Sequence, residues 1–137
     1  MGGVRRHVSR RRGAETIEAA LTLPLVLLVI FGGMEYGWMI LRSSQMHAAA
    51  RVGAREASLS GSSAESVDSV VRSTLMASGI DSFSIEFDPS APENAEPGTT
   101  IKVSVSSGYS GMSLIGLDKI MPLPESLSGS SVMLKED

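Results

Sequence analysis

Residues 10–34, RRRGAETIEAALTLPLVLLVIFGGM, join a cluster of arginines to a long apolar run. Between Ala19 and Leu41 the only charged residue is Glu35. Because about 20 apolar residues cross the hydrocarbon core of a bilayer as a helix, this run predicts one membrane-spanning helix. Pro24 lies near its start and is compatible with this assignment, since membrane helices tolerate proline better than soluble helices do.

The distribution of charge predicts how this helix is oriented. Residues 1–13 contain five arginines and no acid, whereas all 15 acidic residues follow them. The positive-inside rule therefore places the N-terminus in the cytoplasm and the C-terminal part outside, with Arg10, Arg11 and Arg12 as the topology signal. Nucleic-acid binding is disfavoured, because no aromatic or glycine-rich RNA-binding pattern accompanies the arginines.

A cleaved secretory signal is the main alternative to an anchor. The apolar region of such a signal is about 7–15 residues long and precedes a cleavage site of small residues. Here the apolar run is longer, and the candidate site at residues 48–50 lies in a segment with a helical pattern. The sequence therefore favours an uncleaved anchor over removal of the whole apolar segment.

The helical pattern continues beyond the apolar run, so that one helix is predicted from Thr16 to Ser58. Its outer half carries a stripe of small or flexible residues and a separate basic stripe. The first comprises Met46, Ala49, Ala50, Gly53 and Ala57, and the second comprises His47, Arg51 and Arg55. Small residues such as Ala49, Gly53 and Ala57 let helices of neighbouring subunits approach closely. The alternative is that this face rests on the chain's own outer domain.

The remaining residues predict a small α+β domain. A capping-box spacing at Ser62–Glu65 begins a short second helix, and Gly79 ends it. Alternating apolar residues predict strands at 83–87 and 100–106, and a weaker pattern predicts a strand at Ser131–Lys135. Residues 107–129 contain many Gly, Ser and Pro residues and are predicted to be mostly irregular.

The sequence offers no catalytic or metal-binding pattern. It contains no cysteine, and its two histidines, His7 and His47, lie on opposite sides of the predicted membrane. Neither a nucleophile–base pair nor a phosphate loop can be assembled. The acids Asp88, Glu93 and Glu96 lack the spacing of an EF-hand. We therefore expect no enzymatic activity, no cofactor and no metal.

Several motifs resemble one known family in their order and spacing. They are Arg11-Arg12-Gly13, Glu18, Leu23-Pro24-Leu25, Phe31-Gly32, Glu35-Tyr36-Gly37 and Ala48-Ala49-Ala50-Arg51-Val52-Gly53-Ala54-Arg55. Together they resemble the TadE-like family, the minor pilins or pseudopilins of the tight-adherence (Flp) pilus, a type IV pilus system. The resemblance is dense over residues 10–58 and loose beyond residue 60.

The resemblance implies processing by a prepilin peptidase, an aspartic protease of the bacterial inner membrane. This enzyme cuts after a glycine that precedes the apolar helix, and a glutamate is the fifth residue of the mature chain. Gly13 matches that glycine, Ala14 would become the first mature residue, and Glu18 would be the fifth. Glu18 would then neutralise the α-amino group of a neighbouring subunit, while Ala19 stands where the family's processed members commonly carry an aromatic residue.

Glu35 lies near the outer edge of the predicted span, and two interpretations remain open. Its carboxylate reaches the membrane interface beside the aromatic residues Tyr36 and Trp38, or it contacts an arginine of a neighbouring helix in an assembly. In the second interpretation it is a subunit-contact residue, like Glu18.

The sequence thus predicts three parts. Residues 1–13 form a basic cytoplasmic leader, residues 14–58 form a transmembrane helix with a periplasmic extension, and residues 59–137 form a small α+β extracytoplasmic domain. The expected function is that of a membrane-anchored minor pilin or pseudopilin in Flp pilus assembly and surface attachment, with the inner membrane, other pilins, pilus-assembly proteins and a prepilin peptidase as partners. The alternative is a single-span anchored binding or sensory domain unrelated to pili.

Overall fold

The computed structural model describes residues 8–137. The helices and strands are α1 (Val8–Ser58), α2 (Ala64–Ala77), β1 (Ser84–Asp88), β2 (Thr100–Gly108) and β3 (Ser126–Leu134). This order of a long helix, a short helix and a small antiparallel sheet confirms the predicted membrane-anchored α+β class. Of the predicted leader, residues 1–7 lie outside the described residues, as do the side chains of Arg10, Arg11 and Arg12.

Helix α1 is longer than the sequence predicted, because it begins at Val8 rather than at Thr16 and runs through Pro24 without interruption. Within the described residues it is the one helix long and apolar enough to cross a membrane. The side chains of its apolar half point away from the rest of the chain, and Leu21 and Val29 are 70% and 74% exposed. This half of α1 therefore leaves its apolar surface for lipid or for other helices.

The C-terminal half of α1, which we call its outer half, is part of the hydrophobic core of residues 59–137, which we call the outer domain. Its small-residue stripe is fully buried between α2 and one face of the sheet. The residues that share this core include Met46, Ala49, Ala50, Ala54 and Ala57 of α1, Val67, Val71 and Leu75 of α2, and Ile101, Val103 and Val105 of β2. Small side chains on α1 let both elements pack directly on its backbone. The structure thus has this stripe resting on the chain's own domain.

The sheet has the order β1-β2-β3, and both pairs of neighbouring strands are antiparallel. Side chains alternate along β2, so that Val103 is buried while Lys102 is exposed. The second strand continues to Gly108, and the third begins at Ser126 instead of the predicted Ser131. The prediction of irregular structure is therefore wrong for residues 107–108 and 126–129.

Gly129 explains why the start of β3 was missed. A Cβ atom added there would lie 2.5 Å from the backbone N of His47 and 2.5 Å from the carbonyl carbon of Met46. The glycine therefore marks a close approach of two backbones and not a turn. Only a residue without a side chain lets β3 lie this close to α1.

Helix α2 ends as predicted but begins one residue later. Its N-cap is Ser63, whose side chain accepts a hydrogen bond from the backbone N–H of Ser66. The hydroxyl of Ser66 in turn accepts a hydrogen bond from the backbone N–H of Ser63. The predicted pairing of Ser62 with Glu65 is wrong, because Ser62 is buried against the end of α1 and donates to the carbonyl of Ala57. Gly79 ends the helix with a φ of +71°.

The C-terminal end of α1 is closed by a buried lysine. Lys135 is 8% exposed, and its Nζ donates to the carbonyls of Ala57 and Leu59 at 3.1 and 2.9 Å and to the hydroxyl of Ser62 at 3.1 Å. The last carbonyls of a helix lack partners within the helix and carry partial negative charge, which a cation compensates. Lys135 therefore connects the end of β3 to the end of α1.

We predict that Gly129→Ala separates β3 from α1. The new methyl group would overlap backbone atoms that cannot rotate away, so the expected loss of stability is about 3 kcal/mol. Gly108→Ala is the matched control, because nothing lies within 4 Å of the corresponding Cβ position. The measurement is thermal unfolding of the full chain in detergent micelles. Equal melting temperatures for the two variants would contradict the close approach.

Lys135→Met should also destabilise the chain, although methionine fills a similar volume. The substitution leaves helix-end carbonyls without a donor, which should cost about 2 kcal/mol. Lys102→Met, at an exposed position of β2, is the control and should melt like the wild type. If the Lys135 variant were as stable as this control, the lysine would not close the helix end.

Candidate functional site

The charged residue of the apolar run, Glu35, is completely buried. Its Oε1 accepts hydrogen bonds from the hydroxyls of Tyr109 and Ser113, each at 2.7 Å, and from the backbone N–H of Leu114 at 3.2 Å. Its Oε2 accepts a bond from the backbone N–H of Ile115 at 2.9 Å. Four donors from one part of the outer domain thus converge on one carboxylate of α1.

These donors are brought together by the chain that leaves β2. The strand ends at Gly108, and a 3-10 turn at Tyr109–Gly111 changes the direction of the backbone toward α1. Ser113 then has two roles, because its hydroxyl donates to Glu35 and accepts a bond from the N–H of Gly116 at 2.8 Å. The backbone therefore folds around the carboxylate over only a few residues.

The same part of the chain, which we call the 112–123 segment, runs alongside α1. The indole Nε1 of Trp38 donates to the carbonyl of Met112 at 2.7 Å. At the other end of the contact, a Cβ at Gly32 would lie 3.1 Å from Cε of Met121. The segment thus covers α1 from Gly32 to Trp38, within the apolar run.

Arg42 marks the outer end of this run and joins it to α2. Its guanidinium lies over the indole ring of Trp38, 4.5 Å from the ring centroid, and donates to the carbonyl of Ser78 at the end of α2. An arginine stacked on an aromatic face is stabilised by the ring's quadrupole. The contact fixes Trp38 between the 112–123 segment and α2.

The arrangement around Glu35 is suited to holding the domain on the helix. A carboxylate shielded from water is costly unless donors surround it, and here it has four. In return, the carboxylate supplies acceptors for two backbone N–H groups that lie outside any helix or strand. Within the described residues, no group of three or more His, Asp and Glu side chains is placed to hold a metal ion.

The structure therefore gives Glu35 an environment that neither sequence interpretation proposed. The carboxylate is shielded from water, and the donors that the structure describes belong to its own chain. A contact with an arginine of a neighbouring helix stays a prediction. The sequence contained no signal for Tyr109 and Ser113, because they lie more than 70 residues from Glu35 in a stretch without periodicity. Lys135 was missed as a helix-closing residue because the carbonyls of Ala57 and Leu59 that it binds lie more than 70 residues before it.

The other predicted site residues of α1 lie far from this cluster. Gly13, Ala14 and Glu18 are exposed on α1, just before the apolar run that begins at Ala19. Glu18 lies about 25 Å along the helix axis from Glu35, given a rise of 1.5 Å per residue. The structure does not bring the two glutamates together.

Ala49, Gly53 and Ala57 contact the chain's own elements. A Cβ at Gly53 would lie 2.4 Å from Cγ2 of Val71 on α2 and 3.3 Å from Cγ1 of Val103 on β2. Gly53 is thus a helix–helix contact between α1 and α2 of the same chain. A contact of these residues with a second subunit stays a prediction.

Comparison with known proteins finds one similar family for part of α1. Residues 13–55 match the family model described as TadE-like protein. This part of α1 is similar to that family. The match confirms the resemblance found in the sequence and suggests a role in the tight-adherence pilus system. No curated protein and no solved structure gives a match to the chain.

The TadE-like match covers less than half of the chain, and its limits are informative. It includes Gly13, Glu35 and Gly53 but ends before Ala57. None of the donors to Glu35 lies within the matched residues. The carboxylate therefore belongs to the TadE-like part, whereas its partners belong to the outer domain.

We predict that Glu35→Ala releases the 112–123 segment from α1. Hydrogen bonds to charged groups contribute about 1.5–3 kcal/mol each, so exchange of the Leu114 and Ile115 amides with solvent should become on the order of 100-fold faster. Trp38 is the only tryptophan, and its fluorescence should shift because its bond to Met112 is lost. Hydrogen exchange and fluorescence of the full chain in micelles measure both effects.

Glu18→Ala provides the control, because it removes an exposed carboxylate from the same helix. It should leave both measurements unchanged. Glu35→Gln should have an intermediate effect, since the amide keeps one acceptor oxygen but turns an NH₂ group toward donors. Unchanged exchange at Leu114 and Ile115 in Glu35→Ala would show that the segment is held by other contacts.

Proposed function

We propose that this chain is a membrane-anchored minor pilin or pseudopilin that takes part in assembly of a tight-adherence (Flp) type IV pilus for surface attachment. The observation that carries the proposal is the TadE-like match over residues 13–55, which falls on one long helix with an exposed apolar half. The role is structural and not enzymatic. Its partners are the bacterial inner membrane, other pilins and the pilus-assembly proteins.

The long helix supports this role physically. Its apolar half can lie in lipid before assembly and against the helices of neighbouring pilins afterwards, because both environments are apolar. The excess of arginines before Gly13 supports an N-terminus in the cytoplasm and a domain outside the membrane. Packing of the domain on the outer half of α1 would carry the domain with the helix during such a transfer.

Processing by a prepilin peptidase is the second part of the proposal. Gly13 and Ala14 are exposed, and nothing lies within 4 Å of the position of a Cβ at Gly13. Cleavage between them would remove the arginines and create a new α-amino group at Ala14. Glu18 would then be available to pair with the α-amino group of a neighbouring subunit, which would lower the cost of a carboxylate at membrane depth.

The test uses a strain that makes active prepilin peptidase and lacks this gene, complemented with wild type, Gly13→Ala or Gly33→Ala. Mass spectrometry should find a chain that begins at Ala14 in the wild type and in Gly33→Ala, the control for a glycine substitution in the same helix. The Gly13→Ala chain should keep its leader. An intact N-terminus in the wild type would refute processing.

Surface pili in the same strains test the assembly role. We expect few or no pili without the gene and normal pili after complementation with wild type. Normal piliation in the deletion strain would refute the assembly role and favour the alternative, an anchored binding or sensory domain unrelated to pili.

A further inference from the structure

The 112–123 segment has an unusual distribution of polar and apolar groups. Three of its large apolar side chains are exposed, since Leu114, Ile115 and Ile120 are 45%, 42% and 73% exposed, whereas Met112 is buried in the core. The backbone N–H groups of Leu114 and Ile115, in contrast, point inward and bind Glu35. A surface loop in water is expected to show the opposite arrangement, because exposed apolar area is unfavourable there.

Most backbone N–H groups of this segment have a partner. Besides the two that bind Glu35, the N–H of Gly116 binds Ser113, those of Ile120 and Met121 bind the carbonyl of Leu117, and that of Leu123 binds the carbonyl of Met121. Pro122 has no N–H group to satisfy. Irregular backbone at the depth of a membrane requires such internal pairing, because lipid offers no hydrogen bonds.

The position of the segment along α1 coincides with the edge of the membrane span. A hydrocarbon core of about 30 Å accommodates about 20 helical residues, so a span that begins with the apolar run at Ala19 ends near Met39. Tyr36 and Trp38 then lie at the depth where aromatic residues favour the interface. The segment contacts α1 from Gly32 to Trp38, at the same depth.

The outward apolar side chains are continuous with the bare face of α1. Ile120 and Met121 line a groove of about 390 Å³ together with Leu28 and Gly32, and the lining of this groove is almost entirely apolar. Whatever covers the exposed face of α1 at Leu28 therefore also meets Ile120. Lys119 is exposed next to Ile120, and its long side chain can reach the headgroups while its stem stays in apolar surroundings.

We propose that the 112–123 segment lies in the membrane interface on the domain side, with Ile120 and Met121 in contact with the acyl chains of lipids. This inference rests on the membrane anchoring proposed above. Glu35 then has a specific role, because it satisfies the backbone of an interfacial loop that would otherwise meet lipid with unpaired N–H groups. The domain would be held against the bilayer at two places, through α1 and through this segment.

The test uses the absence of cysteine from the chain. Single cysteines replace Val29 in the middle of the span, Ile120 in the segment and Lys102 on the exposed face of the sheet, in the full chain. Each variant is labelled with a fluorophore that is sensitive to its environment and is reconstituted into vesicles of phosphatidylcholine and phosphatidylglycerol. All three positions are exposed, so the substitutions should leave the fold intact.

Brominated acyl chains should quench the label at Val29 and at Ile120 about two-fold, because both labels would contact lipid. They should not quench the label at Lys102, which aqueous iodide should quench instead. Quenching at Val29 by bromolipid, with quenching at Ile120 only by iodide, would overturn the interfacial segment and leave the anchoring intact.

The remaining outcomes are also decisive. Absence of bromolipid quenching at Val29 would refute the anchoring itself. Protection of the Ile120 label from both quenchers would overturn the proposal as well, because protein, such as a second copy of the chain, would then cover the segment instead of lipid.

Discussion

The burial of one carboxylate determines how the outer domain sits on its helix. Glu35 lies in an apolar run and is shielded from water, so its charge is tolerable only where several donors surround it. The chain that follows β2 supplies these donors, including two backbone N–H groups at Leu114 and Ile115. The requirement is mutual, since the loop needs acceptors as much as the carboxylate needs donors. These hydrogen bonds fix the position of the domain along the axis of α1.

A second contact, made by the positively charged side chain of Lys135, also attaches the domain to α1. Lys135 closes the C-terminal end of α1, about 35 Å along the helix from Glu35 at 1.5 Å per residue. Between these two points the core is formed by small residues of α1, and Gly53 and Gly129 let α2 and β3 approach its backbone. Helix and domain are therefore one mechanical unit, in which an axial displacement of the helix would displace the domain by the same distance.

The parts of the fold that depend on local pattern were predictable from the sequence. The apolar run of α1, the end of α2 at Gly79 and the alternation in β1 and β2 all follow from periodicity or from backbone conformation. The start of β3 was not predictable, because Gly129 looks like a turn residue until the helix beside it is known. The surroundings of Glu35 were not predictable for a related reason. The residue was recognised as unusual, but its hydrogen-bond donors come close only through tertiary contacts across more than 70 residues.

The packing of the domain also restricts which face of α1 can meet another subunit. Ala49, Gly53 and Ala57 are already covered by α2 and the sheet, so a subunit contact through them requires the domain to leave the helix. The opposite face remains open, with the basic residues Arg51 and Arg55 exposed. A neighbour that approaches the outer half of α1 without unfolding the domain must therefore match a basic surface, whereas a neighbour of the inner half meets an apolar one. One helix thus presents two chemically different surfaces, and Arg42, at the outer end of the apolar run, separates them.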